Sequence, residues 1–143
     1  MAEVAQKKLI EHEGYWSLPI KGFRIIQLRL DYAFGMEIGD ADSEFSLRVN
    51  TTFKLEDSEG ITSYVTEQLS EIGSALRLFN ADVVDAKAFK NGRLELTFAT
   101  NTVLSVEPDS QFEAWEVVSN STDGTRVVAM PGGELAIWSQ TQP

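Results

Sequence analysis

The chain has 143 residues, 22 acidic against 12 basic side chains and a formal net charge of −10. With no cysteine and a single histidine, disulfides, thiolate or histidine-rich metal sites and cysteine nucleophiles are excluded, and a histidine-based triad is not expected. So acidic a surface repels phosphate backbones and anionic membranes, so no nucleic acid and no membrane is expected as partner, and a basic protein is favoured.

The length fits one domain over 1–143, with a lead-in over 1–13, a core over 14–139 and a tail over 140–143. No apolar run approaches the roughly 18 residues that a spanning helix needs, and a cytoplasmic location is expected. Residues 1–13 read as a short helix or frayed lead-in closed by Gly14. Tyr15 to Ile20 reads as a short strand followed by a turn at Pro19 and Gly22.

From Ile26 to Ile38 every even position is large and apolar: Ile26, Leu28, Leu30, Tyr32, Phe34, Met36 and Ile38. That is the period of a strand with one buried face. At about 3.3 Å per residue, Phe23 to Ile38 would span roughly 50 Å if straight, too long for a small domain. A bend or bulge near Asp31 or Gly35 is therefore expected. Gly39 to Ser43 reads as a turn. Phe45, Leu47, Val49, Phe53 and Leu55 then share one parity, with Thr51 in the gap. The two runs predict a long antiparallel hairpin.

After the polar loop Glu56 to Gly60 the period changes. Val65, Leu69, Ile72, Leu76 and Phe79 follow at helical spacing. They predict an α-helix from about Thr62 to Leu78, with Arg77 in its last turn, where a cation is favoured. Strands resume at Val83 to Phe89. Asn91-Gly92 is a hairpin signal, and Leu94, Leu96 and Phe98 alternate behind it. Val103 to Val106 returns. Ser110 to Glu113 matches a capping box and predicts one helical turn. Trp115 to Val118, Arg126 to Met130 and Leu135 to Trp138 read as strands. The expected fold is α+β: one curved, mainly antiparallel sheet of seven to nine strands packed on a single long helix.

No Walker loop, dinucleotide fingerprint or nucleophile elbow is present. Asp40, Asp42 and Glu44 open like a calcium loop but lack its glycine and distal glutamate. No cofactor, no metal and no catalytic residue is expected. Aromatic side chains are enriched where binding energy concentrates. Tyr15, Trp16, Tyr32 and Trp115 are therefore ligand or interface candidates. Arg24 joins them, because its parity puts it on the inward face, at a rim or beside an acid. The reading is a non-enzymatic protein–protein interaction protein, immunity-like or a homo-oligomeric scaffold. The alternative is a small apolar ligand held in a pocket between sheet and helix.

Arg29 to Phe34, Ala88 to Phe98, Glu113 to Val117 and Pro131 to Trp138 together give a resemblance. Over about Leu18 to Trp138 the chain resembles an uncharacterised, domain-of-unknown-function family of small, mostly actinobacterial proteins. That resemblance implies a shared fold and assigns no site residue. It implies settings reminiscent of toxin–immunity systems.

Overall fold

The structure, a computed structural model, describes residues 8–65, 68, 72–121 and 124–139. Its strands are β1 (Ile10–Glu11), β2 (Tyr15–Ser17), β3 (Arg24–Leu30), β4 (Phe34–Gly39), β5 (Ser43–Val49), β6 (Phe53–Asp57), β7 (Gly60–Tyr64), β8 (Val83–Phe89), β9 (Leu94–Phe98), β10 (Val103–Val106), β11 (Trp115–Ser119), β12 (Arg126–Ala129) and β13 (Leu135–Trp138). They form two antiparallel sheets. One runs β1-β2-β8-β9-β10-β6-β7, the other β13-β12-β11-β5-β4-β3.

The α+β expectation is overturned: no helix of 7 or more residues occurs among the described residues. Gly60 to Tyr64 is strand β7, paired with β6. Its Ile61-Thr62 run suits an extended chain better than a helix. Gly73–Leu78 is a 3₁₀ helix. The residues it buries with its lead-in are Ile72, Ala75 and Leu78, whereas Leu76 and Phe79 are half exposed. Burial thus recurs every three residues, the 3₁₀ period, instead of every 3.6. Val65 of the expected stripe is exposed, and Leu69 lies outside the described residues. Without a long helix to cover it, the apolar face of each sheet is buried by the other. The result is a sandwich in which Phe34 of one sheet stacks on Phe53 of the other, 4.8 Å between ring centroids.

Both long alternating runs conceal a change of direction. Leu30 pairs with Phe34 across the turn Asp31-Tyr32-Ala33, so the first run is the hairpin β3–β4. Asp31 holds that turn through an Oδ1 that accepts the Ala33 N–H at 2.9 Å. A bulge between Ile25 and Gln27 shifts the register. It brings Ile25 into the core and leaves Arg24, which opposes Gly39, exposed on the outer side, against the inward placement expected from parity. Leu30 is 50% exposed near the hairpin end. The second run breaks at Asn50 to Thr52. There the chain leaves the six-stranded sheet (β5) for the seven-stranded one (β6). The remaining strands follow the expected segments closely. Asn91-Gly92 does close the hairpin β8–β9.

Ser110 starts no helical turn. Asp109 Oδ1 instead accepts the N–H groups of Gln111 at 2.7 Å and Phe112 at 3.1 Å. The lead-in contains strand β1 from Ile10, and residues 1–7 lie outside the described ones.

Candidate functional site

The chain crosses between the sheets at 18–23, 50–52 and 107–114. The last two crossings and the β3–β4 turn meet at one end of the sandwich, around an open cleft of about 800 Å³. Tyr32 stands on the turn, Asn50 to Thr52 form the second wall, and Glu107 to Asp109 with Phe112 and Glu113 form the third. Tyr32 is 95% exposed and Phe112 62% exposed, although most large apolar side chains nearby are buried. Three carboxylates line the cleft and no basic side chain does.

The carboxylates are not equivalent. Glu107 is ion-paired with Arg93, which also reaches Glu95 at 3.2 Å. One oxygen of Asp109 is occupied by the loop's own N–H groups. Glu113 makes no side-chain ion pair among the described residues, and only its backbone carbonyl is engaged, by Asn50 Nδ2 at 3.2 Å.

Behind Pro108, two hairpin turns from opposite sheets touch. Gly92, in β8–β9, has φ +101°, and Gly133, in β12–β13, has φ +105°. A Cβ on Gly133 would stand 2.4 Å from the Asn91 carbonyl oxygen, and one on Gly92 would stand 2.6 Å from the Gly133 Cα. The Gly132 N–H donates to the Asp109 carbonyl at 2.8 Å, and Trp115 Nε1–H donates to the Gly92 carbonyl at 2.9 Å. The segments Ala88 to Phe98, Glu113 to Val117 and Pro131 to Trp138 therefore build the support of the loop that carries Phe112.

The expected site residues do not converge. Tyr15 lies on β2, stacked on His12 at 4.5 Å and capped by Lys87 Nζ at 4.9 Å from the ring centroid. Trp16 opposes Ala88 and packs against the core. Arg24 Nε is 3.7 Å from Asp82 Oδ1 in an exposed pair. Trp115 is fully buried between the sheets. Only Tyr32 reaches the cleft. Phe112 and Asp109 were missed, although a lone aromatic in the polar run Asp109 to Glu113 is a readable signal. The long helix expected to wall an apolar pocket is absent; a smaller cleft of about 380 Å³ lies between β6–β7 and the 3₁₀ helix, lined by Asp57, Tyr64, Ser74 and Arg77 among others.

A second polar cluster sits on the outer face of the six-stranded sheet. Glu37, 7% exposed, accepts hydrogen bonds from Ser43 Oγ at 2.5 Å, Ser46 Oγ at 2.7 Å and Arg29 Nη1 at 2.8 Å. Asn120 Nδ2 donates in turn to Ser43 Oγ at 2.7 Å. Burial acts against the charged carboxylate, but the two hydroxyls and the guanidinium outweigh it and hold Glu37 below the ordinary 4.5. A lowered folded-state value contributes stability that is complete above 4.5 and lost as pH falls through the folded value. Glu37→Gln is expected to cost about 1.5–3 kcal/mol at neutral pH. It should also flatten the loss of stability below pH 4.5. Urea unfolding of both proteins from neutral to acidic pH checks this, and parallel curves would refute it.

Among the described residues no group of three or more His, Asp or Glu is arranged to hold a metal ion. No described helix is long and apolar enough to cross a membrane. Residues 16–139 match the family described as "Family of unknown function (DUF6188)", and the chain belongs to that family. No curated protein and no solved structure gives a match.

Proposed function

We propose that this family member is a non-enzymatic protein-interaction module, and that the cleft at the end of the sandwich is where its partner docks. The observation that carries this reading is the pair of exposed aromatic side chains, Tyr32 and Phe112, facing a cleft of about 800 Å³. Leaving two such rings in water forgoes burial that the rest of the chain achieves, and aromatic rings are favoured anchors at interfaces. Rigid support fits the same reading. Asp109, the touching glycine turns and the buried Trp115 fix the Phe112 loop, so little ordering is required on binding.

Site-specific photo-crosslinking tests it. A benzophenone side chain at position 32 or 112 is expected to trap one protein partner in the native host. The same group at the exposed Lys54, on the outer face of β6, should not. Equal trapping from all three positions, or none from 32 and 112, rejects the cleft as a docking site.

A further inference from the structure

Resting on that reading, we infer that the group the cleft accepts is a cationic side chain of a basic partner segment, an arginine guanidinium above all. Three observations point the same way. The cleft is lined by Glu107, Asp109 and Glu113 and by no basic residue. Arg93 compensates Glu107, so the uncompensated charge is concentrated at Glu113 and at the Asp109 oxygen that the loop's N–H groups do not use. The molecule already uses cation–aromatic contacts elsewhere. Lys87 Nζ caps Tyr15 at 4.9 Å, and the Arg126 guanidinium lies 4.9 Å from the Trp138 ring centroid. Tyr32 and Phe112 have no such cap among the described residues.

The chemistry selects among ligands. An anion would face three carboxylates and no basic side chain. A hard divalent cation wants a shell of six or more oxygens in the case of calcium, and among the described residues no three acidic side chains are placed to hold a metal ion together. A planar guanidinium stacks on a ring face while its fork donates to a carboxylate, which uses both components of the cleft at once. A lysine ammonium uses the charge but stacks less well. The overall charge of −10 attracts the same partner over longer range at low salt.

The test is an NMR titration of the full chain with Nα-acetyl-arginine amide and with its neutral isostere, Nα-acetyl-citrulline amide. The arginine probe is expected to give saturable shifts confined to Tyr32, Asn50 to Thr52 and Glu107 to Glu113, weakening as salt is raised. The citrulline probe should bind at least about tenfold more weakly, the loss of one charge-assisted contact. Tyr32→Ala should weaken the arginine probe about fivefold and Glu113→Gln about threefold. Both side chains are exposed, so folding is not at stake.

Equal binding of both probes at the cleft overturns the charge requirement while leaving the docking reading intact. Shifts spread over Tyr15, Trp138 and the outer acids, without saturation at the cleft, overturn the site assignment. Silence of both probes, combined with saturable binding of a neutral oligosaccharide at the cleft, overturns the inference together with the protein-partner reading.

Discussion

Trp115→Ala is expected to lower the unfolding free energy by about 3–5 kcal/mol, the cost of emptying a large buried aromatic site. The indole is 0% exposed, lies on β11 in the middle of the six-stranded sheet, and projects into the interior. Its Nε1–H is the only polar part, and it bonds the Gly92 carbonyl of the opposing sheet at 2.9 Å. Two costs therefore combine: lost packing and an unpaired buried carbonyl. Trp115→Phe separates them. It retains most of the ring volume, removes the donor, and is expected to cost about 1–3 kcal/mol. Since a domain of this kind has roughly 5–15 kcal/mol in all, the alanine variant should sit near the edge of folding. Guanidinium unfolding followed by circular dichroism measures both. An alanine variant within about 1 kcal/mol of the parent would mean that the site collapses or was never well packed.

The second large effect concerns the glycine contact. Gly133→Ala is expected to cost about 3 kcal/mol or more. Part is the penalty of roughly 1–2 kcal/mol for a side chain at positive φ. The rest comes from a Cβ placed 2.4 Å from the Asn91 carbonyl oxygen, which is backbone and cannot rotate away. Gly132→Ala is the internal control. Gly132 has φ +91° but open space around its Cβ position, so it should pay only the conformational part. A difference of at least about 1 kcal/mol between the two variants is the expected result. Equal losses would show that the two turns do not touch as described. In binding experiments Gly133→Ala should also loosen the Phe112 loop, because Gly132 holds Asp109 from the same turn.

Much of the strand content was legible because period-two alternation and turn residues report local chain direction. Leu135 to Trp138 and Val103 to Val106 are strands at their expected bounds. Alternation carries no record of where a chain reverses, however. Leu30, Tyr32 and Phe34 keep one parity through a hairpin turn, and Val49, Thr51 and Phe53 keep one parity through a change of sheet. The bulge at Ile26 then inverts parity within β3, which is why Arg24 faces outward.

The helix was misread for a related reason. Over a few turns, spacings of four and three do not separate a 3.6-residue period from a three-residue one sampled unevenly. Ile72 satisfies both, and only burial of Ala75 and Leu78 decides. The cleft was the least legible part, since its walls come from three segments far apart in the chain. Tyr32, expected as a ligand or interface candidate, lies at a turn tip that its alternation with Leu30 and Phe34 does not reveal, and Phe112 was hidden inside an expected helical turn.

The pairing of β11 with β5 has a consequence for how this molecule is made. Trp115 opposes Val49, so the middle of the six-stranded sheet closes only after more than sixty intervening residues have been synthesised. Until then the meander β3–β4–β5 leaves the ribosome with one side of Ser43–Val49 lacking its neighbour, and with Phe45, Leu47 and Val49 uncovered. Topologies of this kind fold on the millisecond-to-second scale, and their half-made sheets are exposed to self-association in the meantime. Nascent chains halted before residue 115 should accordingly depend on chaperones, and the full chain, with β11, β12 and β13 in place, should not.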